Sequence, residues 1–131
     1  MKHKKLIFIS IVVSVMLLTL LIVKTDDSQT VIFAYHDSGT NGITIDFRNN
    51  GEYKFRKSSW LTSTDFNGHY TLADNIVVLD RENIDNIILT GRLKICACPG
   101  KLSWTCLLQV DEHGNDIDTH FGFTIRTDNR W

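Results

Sequence analysis

Residues 42–57 read GITIDFRNNGEYKFRK, and this stretch decides the fold. Apolar and polar side chains alternate on both sides of the Asn-Asn-Gly segment at 49–51, which is typical of an antiparallel hairpin with one buried face. Glycine at the end of a three-residue hairpin loop supplies the left-handed backbone that such a loop needs. The stretch therefore predicts two strands, 42–48 and 52–57, joined by a tight turn.

The length of this turn determines which side chains share a face. A three-residue loop places Phe47 opposite Tyr53 and Ile45 opposite Phe55, so that four apolar side chains lie together. A two-residue turn would place Phe47 opposite Lys54 and mix the two faces. The sequence therefore predicts the three-residue loop, with the charged residues on the opposite, solvated face.

The same alternation continues through residues 29–131, where Gly, Asn and Asp interrupt the apolar runs about every 8 to 12 residues. This pattern predicts an all-β antiparallel meander. Because no helix is predicted to cover a sheet face, the meander must close on itself as a small barrel-like domain or fold into a two-layer sandwich, and we expect the barrel-like form. The predicted strands are 31–35, 42–48, 52–57, 68–72, 76–79, 87–90, 92–97, 104–110 and 120–126.

Within residues 43–80, an Asn-Gly hairpin with an aromatic residue follows an apolar strand, and a Gly-x-Tyr strand then leads into another apolar strand. The residues concerned are Asp46-Phe47, Asn50-Gly51-Glu52-Tyr53, Gly68-His69-Tyr70-Thr71-Leu72, Asp74-Asn75-Ile76 and Val78-Leu79. In this order the segment resembles the lipocalin-like small exported β domains of bacteria. The resemblance implies a barrel-like fold and the binding of an apolar ligand or a partner protein, and it assigns no binding residue.

Residues 6–23 form an apolar run that contains only serine and threonine as polar residues. At about 1.5 Å per residue, a helix over this run is roughly 27 Å long, which matches the hydrocarbon thickness of a bilayer. Signal-peptide cores are shorter, and no pair of small residues prepares a cleavage site before Lys24. The run therefore predicts a retained single-pass transmembrane helix, a signal anchor.

Lysines flank this run unequally and predict its orientation. Lys2, Lys4 and Lys5 precede it and only Lys24 follows it closely, so the positive-inside rule places the N-terminus in the cytoplasm. The chain is then divided into a membrane anchor with a short linker, 1–28, and an exported β domain, 29–131. We expect a protein of the cell membrane whose C-terminal domain is periplasmic or extracellular.

The charge balance disfavours a nucleic-acid partner. The whole chain has a net charge of −1, and most of the lysines near the N-terminus belong to the anchor, so the exported part is acidic. Phosphate binding needs clustered Lys and Arg. The densest basic stretch, Lys54, Arg56 and Lys57, is interpreted as the solvated face of a strand.

Three cysteines, Cys96, Cys98 and Cys106, flank a Pro-Gly turn in a domain predicted to lie in an oxidising compartment. If the apolar residues of the preceding strand face the core in one register, Cys106 is buried and the other two point outward; a shift by one residue places Cys96 opposite Cys106. The sequence predicts one disulfide, between Cys106 and either Cys96 or Cys98. The spacing matches neither a tetrahedral metal site nor a C-x-x-C redox motif.

Histidines and carboxylates form no known catalytic constellation. Asp118 and His120 share a strand face if their segment is extended, so this pair could bind a metal ion or transfer a proton, but the simpler interpretation is two solvated side chains. The loop that begins at Asp111 lacks the Gly and Glu of a calcium-binding EF-hand and is interpreted as a turn. No catalytic residue, cofactor or metal ligand is predicted, and Trp60 and Trp104 are expected in the core.

Taken as a sequence, the chain predicts an exported β domain that binds an apolar ligand or a protein partner without transforming it. A membrane-tethered inhibitor or immunity-type protein is the first alternative, favoured by an exposed apolar patch without a cavity. A small enzyme that uses His69, Asp118 and His120 or the thiols is the second, favoured by a histidine and a carboxylate clustered in a pocket.

Overall fold

The computed structural model describes residues 12–14, which are helical, and residues 28–117 and 121–130, which are all-β. Eight antiparallel strands form one closed barrel in which each strand pairs with the next and the last pairs with the first. The prediction of an all-β meander in barrel-like form is confirmed. The strands are β1 (Thr30–Asp37), β2 (Asn41–Arg48), β3 (Glu52–Ser59), β4 (Ser63–Ala73), β5 (Ile76–Leu79), β6 (Arg92–Cys98), β7 (Lys101–Gln109) and β8 (Phe123–Asp128).

The hairpin of β2 and β3 has the predicted register. Phe47 lies opposite Tyr53 and Ile45 opposite Phe55, and all four side chains are buried. Gly51 has a φ of 81°, the left-handed conformation that the three-residue loop requires. Alternation of apolar and polar residues was therefore sufficient to fix both the pairing and the buried face of this hairpin.

Residues 87–90, predicted as a strand, lie instead in a loop that closes one end of the barrel, here called the plug loop (residues 80–91). Ile84, Ile87 and Ile88 point into the core and are almost fully buried. Four residues of the loop have left-handed backbone conformations that turn the chain; they are Asn83, Asp85, Asn86 and Gly91, with φ values of 53°, 51°, 54° and 63°. The prediction was wrong because a loop that fills the end of a barrel needs buried apolar side chains, as a central strand does. The two therefore look alike in the sequence.

Side chains of the strands and of the plug loop fill the barrel interior. Phe47, Phe55, Leu93, Leu107 and Phe123 are completely buried and form one continuous cluster with the three isoleucines of the plug loop. Eight strands enclose a space that is just wide enough for side chains to fill or for one small ligand. Here the chain's own side chains occupy that space.

The up-and-down order of the strands gives the barrel two distinct ends. The N-terminal end is where β1 begins, and it carries the turns at 49–51, 74–75 and 99–100; the far end carries the turns at 38–40 and 60–62, the plug loop, and residues 110–117 and 121–122. Backbone and side-chain hydrogen bonds tie the N-terminal end together: Asn49 N–H donates to Gln29 O at 2.9 Å, and Arg130 Nη1 donates to Asn75 Oδ1 at 2.9 Å.

The predicted membrane anchor, residues 6–23, lies outside the described residues except for its helical residues 12–14. Among the residues that are described, none belongs to a helix long and apolar enough to cross a bilayer.

Candidate functional site

A cleft of about 580 Å³ opens beside the point where β5 ends. Tyr53 of β3 lies directly opposite Gly68 of β4, and its phenol passes over the glycine to donate a hydrogen bond to Asp80 Oδ1 at 3.3 Å. A Cβ atom on residue 68 would collide with that oxygen and lie 2.7 Å from Cε1 of Tyr53. Only glycine leaves room for this crossing. The cleft is lined by Arg48, Glu52, Tyr53, Lys54, Asn67, Gly68, His69, Asp80 and Arg81.

Asp80 organises the cleft. Its Oδ2 accepts a hydrogen bond from the His69 backbone N–H at 2.9 Å, and the imidazole Nδ1 of His69 lies 3.6 Å from the same oxygen. The backbone N–H of His69 is the main cause that lowers the pKa of Asp80, with a further contribution from the Tyr53 hydroxyl. Asp80 is therefore a carboxylate at neutral pH, and it holds the start of the plug loop against β4.

Tyr53 is a hydrogen-bond donor here and not a base. Burial is the main cause that raises its pKa to about 12, and the charge of Asp80 raises it further. The lining contains no serine, threonine or cysteine, and the neutral phenol is committed to Asp80. The cleft can hold a polar group through hydrogen bonds, but it places no activated nucleophile.

The cations around the cleft have anionic partners. Lys54 Nζ lies 3.2 Å from Asp65 Oδ2, and Arg48 Nε lies 3.3 Å from Asp46 Oδ2. The cleft therefore has mixed charge and offers no concentrated cationic surface to a phosphate.

The histidine and carboxylate candidates are only partly brought together. His69 has a carboxylate neighbour, Asp80, that the sequence did not identify, while Asp118 and His120 lie outside the described residues. Asp111 begins a turn as interpreted, because its Oδ1 accepts the backbone N–H groups of His113 and Asn115 at 2.9 and 2.8 Å. In the described part of the chain, no three His, Cys, Asp or Glu side chains are grouped to hold a metal ion.

Raising the pH should weaken the fold through Tyr53. Because its folded-state pKa is about 12 and an unfolded tyrosine titrates near about 10, the stability due to the neutral phenol is complete below about pH 10 and is lost as the pH rises towards 12. We expect the urea midpoint to fall between about pH 9 and about pH 11.5, and to fall less in Tyr53→Phe.

Both proteins in this comparison should carry Cys96→Ser, so that no free thiolate attacks the disulfide at high pH. The burial-raised pKa of Tyr70 contributes equally to both proteins. Identical pH profiles with and without the Tyr53 hydroxyl would contradict the role assigned to Tyr53.

The structure pairs Cys98 with Cys106, with an S–S distance of 1.96 Å, and leaves Cys96 as a free, half-buried thiol. In the ladder of β6 and β7, Cys96 lies opposite Cys106, which corresponds to the shifted register, but a bulge after Ala97 brings Cys98 to the bond. Burial is the main cause that raises the pKa of the Cys96 thiol. Its low thiolate fraction at neutral pH makes Cys96 a poor nucleophile.

Removal of the disulfide should cost about 2–3 kcal/mol of unfolding free energy, the loop-closure entropy of a short loop. The two cysteines are eight residues apart. Cys98→Ser combined with Cys106→Ser is expected to show this loss in urea unfolding, whereas Cys96→Ser should change stability by no more than about 0.5 kcal/mol. Equal stability of the double variant and the native chain would show that the bond does not constrain the fold.

The two tryptophans expected in the core are on the surface. Trp60 is 89% exposed in the turn between β3 and β4, next to the exposed Leu61, and Trp104 is 45% exposed in β7. The prediction was wrong because the interior is already filled by residues of the strands and the plug loop. Surface tryptophans of this kind are uncommon outside contact sites, since tryptophan is enriched where proteins bind partners.

A groove of about 630 Å³ adjoins Trp104 where β7 and β8 separate. The ladder between these strands consists of the pairs Cys106–Thr124 and Leu107–Phe123, although β7 has nine residues. The groove is lined by Tyr35, Ser103, Trp104, Thr105, Thr124, Ile125 and Arg126.

Comparison with known proteins does not assign a function to the cleft or to the groove. No protein-family model matches the chain, and no curated protein or solved structure is significantly similar to it.

Proposed function

We propose that this chain is a membrane-tethered protein of the cell envelope whose exported β-barrel binds a protein partner, without catalysis, through its outer surface. The observation that carries the proposal is the contrast between a filled interior and an exposed tryptophan-leucine pair. Ile84, Ile87 and Ile88 occupy the interior at one end of the barrel, while Trp60 and Leu61 are exposed at the same far end.

The tether rests on the sequence and agrees with the topology. Val23 ends the apolar run, and β1 begins at Thr30, so the intervening chain reaches at most about 25 Å. The N-terminal end of the barrel would then face the bilayer and the far end would point away from it. A disulfide in the barrel supports an exported location, because such bonds persist in oxidising compartments.

The filled interior favours a protein partner over an apolar ligand. Lipocalins share the eight-stranded up-and-down order of this barrel. Lipocalins hold one ligand inside such a barrel, but the plug loop takes that position here. We therefore expect a partner to bind the outer surface of the barrel.

The turn between β3 and β4 is the best candidate for the contact. Trp60 and Leu61 present apolar surface at a tight turn, and tryptophan is among the residues that contribute most to binding when an interface buries them. The turn is held by the Ser59 N–H, which donates to Thr62 O at 2.8 Å. Exposed apolar residues without a ligand cavity also fit the inhibitor or immunity-type alternative, in which the partner is an enzyme or toxin.

Site-specific photo-crosslinking in the native host tests this proposal. A photoreactive side chain replaces Trp60 in one variant of the full chain and Thr40 in the control, because Thr40 is an exposed polar residue at the same end of the barrel. We expect position 60 to crosslink to one discrete protein and position 40 not to. No product from position 60, or the same products from both positions, would overturn the proposal.

A further inference from the structure

A hairpin at the N-terminal end of the barrel has no role in the proposed partner contact. It consists of residues 97–105, here called the β6–β7 arm. The β5–β6 ladder begins at the pair Ile76–Lys94, and just beyond it the Ile95 N–H donates to Asn75 O at 2.8 Å. On the other side, the β7–β8 ladder stops at Cys106. The arm therefore extends past both neighbouring ladders.

A disulfide stiffens the arm. Cys98 pairs with Lys101 across the Pro-Gly turn at 99–100, and residues 102–104 lie in a bulge of β7 between the paired Lys101 and Thr105. The disulfide joins Cys98, which precedes the turn of the arm, to Cys106, the β7 residue that follows the arm, with a Cα–Cα distance of 5.0 Å. A crosslinked hairpin loses little conformational entropy when its tip binds.

The chemistry of the tip is that of an interfacial membrane anchor. Leu102 is 89% exposed and Trp104 is 45% exposed, and Lys101 Nζ lies 4.3 Å from the centroid of the Trp104 ring. Residues 97–105 read ACPGKLSWT, with one cation and no carboxylate. Tryptophan with an aliphatic residue and a lysine suits the headgroup region, where apolar surface is buried and the ammonium stays in water.

The position of the arm indicates that it contacts the bilayer. The arm and the start of β1 lie at the same end of the barrel, and the chain from Val23 to Thr30 restricts that end to within about 25 Å of the tether's exit. We propose that the β6–β7 arm inserts Leu102 and Trp104 into the headgroup region of the membrane that residues 6–23 enter. This inference rests on the tether of the proposed function, and it fixes the orientation of the barrel with Trp60 directed away from the membrane.

Bromolipid quenching of single-tryptophan variants tests the arm. The full chain is reconstituted in phosphatidylcholine–phosphatidylglycerol vesicles with brominated acyl chains, once with Trp104 alone (W60F/W131F) and once with Trp60 alone (W104F/W131F). Residues at interfacial depth lie within reach of the upper acyl chains, so we expect about a twofold loss of Trp104 emission. Trp60, at the other end of the barrel, should keep its emission.

Leu102→Ser in the Trp104-only chain provides a control that the fold tolerates, because Leu102 is exposed. We expect this change to reduce the quenching of Trp104. Failure of the chain to stay in the vesicles would overturn the tether itself. Incorporation with Trp104 unquenched, or with both tryptophans equally quenched, would leave the tether intact and overturn the arm's contact with lipid.

Discussion

Replacement of Gln109 by leucine is expected to lower the free energy of unfolding by about 3 kcal/mol, because it leaves a buried and a partly buried backbone group of the plug loop without partners. Gln109 is 1% exposed and lies in β7. Its Nε2 donates to Ile87 O at 2.6 Å, and its Oε1 accepts from the Leu89 N–H at 2.7 Å. A single side chain thus satisfies the backbone of the plug loop on both sides of Ile88.

Leucine has nearly the volume of glutamine, so the predicted loss comes from the unsatisfied backbone groups and not from a cavity. Thr105→Leu is the matched control, since Thr105 lies on the same strand and is exposed; it should change stability by no more than about 0.5 kcal/mol. Urea unfolding followed by far-UV circular dichroism measures both. A Gln109→Leu domain as stable as the native one would show that the plug loop does not depend on this side chain.

Phe47→Ala should destabilise the domain more strongly, by about 3–5 kcal/mol, because it removes a fully buried aromatic side chain and leaves a cavity. Phe47 is completely buried. Its ring centroid lies 4.9 Å from that of Tyr70 in a T-shaped contact and 6.3 Å from that of Tyr53. The loss should appear as a lower urea midpoint. Among the variants described here, we expect the largest loss from this one, which lies in the β2–β3 hairpin.

Leu102→Ala is the control for Phe47→Ala. Both changes remove a large apolar side chain, but Leu102 is exposed on the β6–β7 arm, so its removal should change stability by no more than about 0.5 kcal/mol. Similar losses for the two variants would contradict the assignment of Phe47 to the filled interior. Together with Gln109→Leu, the pair tests whether strands and plug loop form one cooperative core.

The β2–β3 hairpin was predictable because everything that determines it is local. An Asn-Asn-Gly loop sets the register, and alternation on each side sets the buried face, so the pairs Phe47–Tyr53 and Ile45–Phe55 follow without reference to the rest of the chain. The plug loop was not predictable in this way. Its isoleucines are buried by strands distant in sequence, and alternation does not distinguish a buried turn from a strand.

The cleft was only partly predictable from the sequence. The sequence identifies His69 as a candidate but not Asp80, because the predicted strands 68–72 and 76–79 leave a three-residue turn between them. The structure has a two-residue turn in which Asp74 and Asn75 have φ values of 51° and 63°, and Ala73 pairs with Ile76. Asp-Asn in a turn with two left-handed residues is a recognisable type I′ signal, and continued pairing from it places His69 beside Asp80.

The exposure of the two tryptophans could not be predicted from composition. Trp60 follows a strand and Trp104 lies within one, so each fitted a buried position on the pattern alone. Their exposure results from how much space the other side chains leave in an eight-stranded barrel. The space that is left depends on the whole set of buried residues, which includes Ile84, Ile87 and Ile88 of the plug loop.

The tether is tested most directly by the intact mass of the chain recovered from alkali-washed membranes of cells that produce it. We expect the protein to stay in the membrane pellet with residues 6–23 present in its mass, and to carry one disulfide, that of Cys98 and Cys106. Recovery of the protein in the soluble fraction, with a mass that begins after residue 23, would contradict a membrane-tethered barrel.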